Sequence, residues 1–175
     1  GEIHRECFLR LRFADDGEWI AAGRFLPVAE RLGLAAELDL AAVDLALGAL
    51  SADPGLEDLA VNLSAASLRE ASFRERLAAM LGSRPASSRL WLEAGEAGVF
   101  RHLGAFRDLC RLAKMFGCRV GIEHFGRQFS HVGELYGLGI DYVKVDGGFA
   151  RGLAANPGNR AFLSGLSAIG HGLGM

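Results

Sequence analysis

Residues 89–123, RLWLEAGEAGVFRHLGAFRDLCRLAKMFGCRVGIE, decide the fold. Arg89 to Ala94 is a run of strand length, apolar after Arg89 except for Glu93. Val99, Leu103, Phe106, Cys110 and Ala113 then recur at helical spacing, and Gly117 supplies a stop. Arg119 to Glu123 is a second strand-length run. A strand, a helix and a strand in that order imply parallel pairing through a right-handed crossover.

The same alternation extends in both directions. Ile3 to Phe13 alternates, with Cys7, Leu9, Leu11 and Phe13 on one face and Glu6, Phe8, Arg10 and Arg12 on the other. Asp15-Asp16-Gly17 reads as a turn, and Glu18 to Ala22 as a short returning strand. Pro27 suits the first turn of a helix that Gly33 ends. Ala35 to Leu50 is a strong helical stretch, closed by Asp53-Pro54-Gly55. Leu59 to Leu63 is a buried strand, and Phe73, Leu77, Met80 and Leu81 mark a helix. Asp141 to Val145 is the last strand. Asn156 to Asn159 is a loop before a final helix that aligns Phe162, Leu166, Ile169 and Leu173. Periodicity leaves two α/β architectures, an open doubly wound sheet or a (β/α) barrel. The lack of a Gly-rich phosphate loop weighs against the first.

Composition excludes several classes. Half of the 175 residues are apolar and 23% are charged, the balance of a globular domain. The net charge of -2 gives no reason to expect DNA, RNA or an anionic membrane as partner. Cys7, Cys110 and Cys118 are odd in number and form no C-x-x-C pair, so they read as small buried hydrophobes of a reducing compartment. No apolar run is long enough to span a bilayer, and no signal peptide is expected. The expectation is a cytoplasmic domain, compatible with attachment to an inner-membrane protein. His4, His102, His131 and His171 are scattered, with surface or capping roles expected.

The chemistry gathers at strand ends. Glu6, Asn62, Glu93, Glu123, and Lys144 with Asp146 lie on or near the ends of five strands. In a barrel these ends converge on one rim, where active sites form. A buried ionisable group is costly unless paired or ligated, so five such strands point to a site. Glu6, Phe8 and Arg10 share a face at about 6–7 Å spacing. A carboxylate, a ring and a guanidinium in a row suit a ligand with a phosphate and a flat base.

These residues resemble the EAL domains, a family of cyclic di-GMP phosphodiesterases. Glu6-Cys7-Phe8-Leu9-Arg10 resembles E-A-L-x-R. Phe25-Leu26-Pro27-Val28-Ala29-Glu30, with Gly33-Leu34, resembles F-I-P-x-A-E…G-L. Val61-Asn62-Leu63-Ser64 matches V-N-L-S, and Leu92-Glu93-Ala94-Gly95-Glu96 resembles L-E-I-T-E. Glu123-His124-Phe125-Gly126 stands where the family has D-D-F-G, and Val143-Lys144-Val145-Asp146 resembles its K-I-D motif. The resemblance implies a modified TIM (β/α)8 barrel of the EAL type whose first strand runs antiparallel to the others. It covers residues 1–175 as an EAL-like domain incomplete at the C-terminus, an N-terminal fragment lacking the last strands.

The resemblance also implies roles. Glu6, Asn62, Glu93, Glu123, His124 and Asp146 are the metal-site positions, here vestigial. Lys144 is the lysine near the attacking water and, with Glu6, a vestigial catalytic residue. Arg10, Phe8, Leu26, Pro27, Asp146 and Arg127 are the ligand-binding set. Two departures matter. Glu123-His124 replaces the aspartate pair that places two Mg²⁺ or Mn²⁺ ions, and Arg127-Gln128 replaces Thr-Gly. A longer carboxylate and a neutral nitrogen suit paired hard cations poorly. The expected function is a catalytically degenerate cyclic di-GMP receptor of bacterial biofilm and adhesion control, resembling the LapD type. It needs no cofactor for binding, with Arg10, Arg127 and Lys144 balancing the phosphates. The alternative is a weakly active phosphodiesterase that uses Mg²⁺ or Mn²⁺ and releases pGpG. Expected partners are cyclic di-GMP, a second EAL domain in a homodimer, and the adjoining signalling domains of a longer membrane receptor.

Overall fold

A computed structural model describes residues 3–175 and, of Phe129, the backbone alone. Its centre is one sheet in the order β1 (Arg5–Cys7), β4 (Leu59–Leu63), β5 (Leu90–Gly95), β6 (Arg119–Phe125) and β7 (Tyr142–Val145), all pairs parallel. Between β1 and β4 the chain forms a small hairpin, β2 (Arg10–Leu11) with β3 (Ile20–Ala21), then helices α1 (Ala22–Arg31) and α2 (Ala35–Ala52). The crossovers carry α3 (Ala65–Arg69) and α4 (Ala71–Gly82), then α5 (Glu96–Arg101) and α6 (Leu103–Met115). After β7 come α7 (Gly147–Ala150) and α8 (Pro157–Gly172).

Strand order settles the architecture. A doubly wound sheet reverses its order at a switch point. Here the sheet strands follow chain order without reversal, which is the curled half-barrel arrangement. The pleat divides the side chains. Val61, Leu92 and Ile122 face the outer layer of helices and are 2% exposed or less. There they meet Val43 and Leu47 of α2, Leu77 of α4 and Phe106 of α6 in one core. Each such side chain contributes about 1.5–3 kcal/mol by leaving water. The alternate residues, Asn62, Glu93, Glu123 and Lys144, must then face the barrel interior.

Four expectations need correction. Ile3 to Phe13 is not one strand, because the ladder breaks after Cys7 and resumes at Arg10 with a different partner. The first described strand is parallel to β4, and among the described residues antiparallel pairing occurs in the β2–β3 hairpin. Pro27 lies within α1 rather than in its first turn. The helix begins at Ala22, so Pro27 cannot donate the intrahelical bond to the Gly23 carbonyl four residues earlier. The helix after β5 is two helices, broken at His102, whose backbone leaves the helical region. Gly33 and Gly117 do end helices, each at a positive φ (70° and 76°). Cys110 and Cys118 are buried free thiols, pushed up by burial to about 12 and about 11. Cys7 is half-buried, also free, and likewise shifted upward by burial. No helix long and apolar enough to cross a membrane occurs among the described residues.

Candidate functional site

Glu93 is the hub. It is fully buried on β5, where an unpaired carboxylate would be prohibitive. Lys144 of β7 meets it with Nζ 2.6 Å from Oε1 and 2.8 Å from Oε2, and Nζ also lies 3.5 Å from Glu6 Oε2. The Tyr142 hydroxyl donates to Glu93 Oε1 at 2.6 Å. That bond and burial hold the phenol well above its ordinary range, burial being the larger cause. Gly121 makes room for the ring, since a Cβ there would sit 2.3–2.7 Å from Tyr142 ring atoms. Asn62 donates from Nδ2 to Glu6 Oε1 at 3.1 Å, fixing that carboxylate from β4. One oxygen each of Glu6, Glu93 and Glu123 lies within 4.8 Å of the others. Burial, the leading cause, raises Glu123, with Glu93 and Glu6 adding to the shift.

The end of β6 shapes the rim. The ladder with β7 is irregular between Ile122 and Phe125. At this bulge Glu123 is half-buried and His124 is exposed, both lining the cleft. His124 adopts φ 54°, a left-handed conformation that Asp, Asn and His tolerate better than most residues. Its Nε2 lies 3.7 Å from Glu123 and its Nδ1 3.6 Å from Asp146. Asp146 is engaged on both oxygens. Oδ1 accepts from the Gly148 N–H at 2.8 Å, and Oδ2 takes Arg127 Nε at 2.9 Å and Nη2 at 2.8 Å. The Gly148 bond, then Arg127, holds this carboxyl below its usual range.

Glu96 secures the loop that carries Arg127. Its carboxylate, 3% exposed, accepts the backbone N–H groups of Gly126 (2.8 Å), Arg127 (3.0 Å) and Gln128 (3.1 Å). Gly126 adopts φ 118°, and a Cβ there would crowd the mutually stacked Phe149 and Phe162 rings at 3.0–3.3 Å. On the other flank, Asp39 of α2 is buried and accepts from Ser64 N (2.7 Å) and Ser67 Oγ (2.6 Å). It thereby fixes the segment that follows Asn62. Burial, the larger cause, pushes Asp39 upward against those bonds.

The strand ends thus converge as the sequence predicts. Glu6, Phe8, Arg10, Leu26, Asn62, Glu123, His124 and Lys144 line one cleft of about 1020 Å³. Phe8 is 63% exposed in it. The one hydrogen bond described for Arg10 is to the carbonyl of Leu9. Pro27 does not line the cleft, and Arg127 opens instead on a smaller hollow beside His124. Arg127 and Lys144 are engaged by carboxylates; among the described residues Arg10 has no carboxylate partner.

Sequence reasoning missed three residues. His4 is no surface histidine. It packs 4.2 Å from Trp91 and 5.9 Å from Tyr142, with Nε2 3.7 Å from Glu93 Oε1. Burial, then Lys144, lowers its pKa. Two-residue alternation carried the signal, since His4 precedes Glu6 by two and Tyr142 precedes Lys144 by two. Glu96 had a weaker signal, an acid opening a helix directly after a strand.

The chain belongs to the EAL-domain family, whose profile matches residues 1–175. It is 26% identical over 160 residues to the cyclic di-GMP phosphodiesterase PdeF of Escherichia coli, covering 89% of this chain and 21% of PdeF. The chain therefore spans about a fifth of that relative's length. The FimX EAL domain from Pseudomonas aeruginosa bound to c-di-GMP superposes with a TM-score of 0.86 at 26% identity, covering 99% of this chain and 72% of FimX's. The apo S helix-GGDEF-EAL portion of Vibrio cholerae LapD gives 0.89 at 24% identity, covering 99% of this chain and 42% of that one, a likeness of fold.

Proposed function

We propose that this chain binds cyclic di-GMP and does not hydrolyse it. One observation carries the reading: protein cations and a neutral hydroxyl donor sit on the carboxylates that would hold metal. Lys144 and Tyr142 engage Glu93, and Arg127 engages Asp146. A two-ion phosphoryl site needs cations about 3.5–4 Å apart, each with several anionic oxygens at near-ideal positions. With Glu93 and Asp146 engaged and His124 offering nitrogen, the residues do not fit a pair of hard divalent ions. No hydrolytic step through such ions is derived.

The binding half of the site is supported differently. Arg10 is exposed and carries no carboxylate partner among the described residues, so it is available for a ligand phosphate. Phe8 offers an open ring for a guanine, Leu26 lines the same cleft, and Pro27 adjoins Leu26 within α1. Asp146 and Arg127 form the far rim, able to exchange their mutual ion pair for ligand contacts. The c-di-GMP bound to the FimX EAL domain supports the ligand's identity. The run Glu123 to Ser130 favours a LapD-type receptor. Its setting would be a longer membrane protein with adjoining signalling domains, a homodimer through the EAL domain, and control of adhesion.

A second reading has one observation in its favour. Three carboxylates within 4.8 Å can hold a single ion, which would support weak hydrolysis to pGpG. Incubation with cyclic di-GMP and Mg²⁺ or Mn²⁺, followed by chromatography, separates the two. Unchanged cyclic di-GMP is expected; linear pGpG above a metal-free control overturns the receptor reading.

A further inference from the structure

The proposed site uses one exposed aromatic side chain, yet the same cleft holds a second. Trp19 immediately precedes β3, is 62% exposed, and lines the cleft with Phe8, Arg10, Gly23 and Leu26. A large ring left in water on a two-stranded hairpin adds little to the core, so its place in the fold is not explained by packing. One face of the ring is occupied: the Arg12 guanidinium carbon lies 4.7 Å from the ring centroid. Arg12 is itself drawn toward Asp15, 3.9 Å away. Pairing of Leu11 with Ile20 sets Trp19 beside Arg12 at the next step of the hairpin. Space is open nearby, since a Cβ added to Gly23 would meet nothing within 4 Å.

We propose that Trp19, backed by Arg12, is a stacking platform for a purine base of a cyclic dinucleotide, namely the base that Phe8 does not carry. This rests on the binding function proposed above. The ligand has two bases and two phosphates, and Phe8, Arg10 and Arg12 follow one another along the segment that leaves β1 and passes through β2. Four residues of extended chain span at most about 13–14 Å. That is enough to set two flat rings at opposite ends of one ligand, with a phosphate at Arg10 between them. The Arg12 cation holds the indole in place from behind, so stacking on the open face requires little further ordering. Such stacking is tolerant of base identity, which makes this platform a source of affinity rather than of guanine selectivity.

Calorimetric titration of cyclic di-GMP into the wild-type chain, Trp19→Ala and Trp19→Phe tests this. Trp19→Ala should weaken binding roughly tenfold, and Trp19→Phe by no more than about threefold, as expected for loss and retention of a stacking ring. Acrylamide quenching of the wild-type chain gives a second readout that needs no variant. Trp91 is 4% exposed, so the quenchable emission is that of Trp19, and saturating cyclic di-GMP should protect it. Equal affinity of wild type and Trp19→Ala, or undiminished quenching in the bound state, overturns the platform and leaves the binding function standing. A wild-type chain that gives no heat overturns both.

Discussion

Gly121→Ala is the sharpest test of how the interior is packed. The added methyl would meet Cζ, Cε1 and Cε2 of Tyr142 at 2.3–2.7 Å, so the ring must move. It has little freedom, lying 4.9 Å from the Trp91 ring and 5.9 Å from His4. Movement breaks the 2.6 Å bond to Glu93, which is fully buried and keeps only Lys144 as a close partner. Overpacking costs about 1–3 kcal/mol, and a lost hydrogen bond to a charged group about 1.5–3 kcal/mol. The lower backbone entropy of alanine in the unfolded chain returns about 0.4–1 kcal/mol. A net loss of about 2–4 kcal/mol is expected in urea unfolding followed by circular dichroism. The mechanism is specific to one neighbour. With Tyr142→Ala already in place, the same glycine change should cost no more than about 0.5 kcal/mol, because the space is free. Additive costs in this double-mutant cycle, or a Gly121→Ala chain as stable as wild type, would refute the packing argument.

Arg10→Ala should weaken cyclic di-GMP binding by about 1.5–3 kcal/mol in a calorimetric titration while leaving the melting temperature unchanged, since the side chain is exposed. Glu96→Ala should raise amide hydrogen exchange at Gly126, Arg127 and Gln128 at least roughly tenfold, with a stability loss of about 1–3 kcal/mol; exchange that stays slow at these three amides argues against the anchor. Asp39 gives a pH dependence. Its folded pKa is raised by burial, so its contribution to stability is greatest below the unfolded value of about 3.9 and is lost as pH rises through the raised folded value. The stability of wild type relative to Asp39→Asn should therefore fall as pH rises above about 3.9, and a rise with pH in urea titrations contradicts the assignment.

Much of this architecture was legible because parallel strands buried on both faces write themselves as short apolar runs. Leu59–Leu63 was readable to the residue. The interior residues Glu6, Asn62, Glu93, Glu123 and Lys144 stood out because charge on such runs demands a partner. What was hidden depends on contacts far apart in sequence. Nothing local says that residues 3–13 leave one sheet and join a hairpin, since the alternation continues unbroken across the switch. Pro27 suggested a helix start, but tertiary packing of Phe25 and Ala29 extended α1 backwards. His4 and Tyr142 look ordinary until the curl of the sheet brings both to Glu93. Arg127 was legible as a cation at the rim, but its pairing with Asp146 was not, because that pairing depends on the loop held by Glu96.

A calorimetric titration of cyclic di-GMP carried out in excess chelator addresses the central claim, that side-chain cations have taken the place of metal. Binding is predicted to proceed in EDTA with the same affinity as in Mg²⁺ or Mn²⁺. Heat that appears only when the divalent ion is restored would contradict the account.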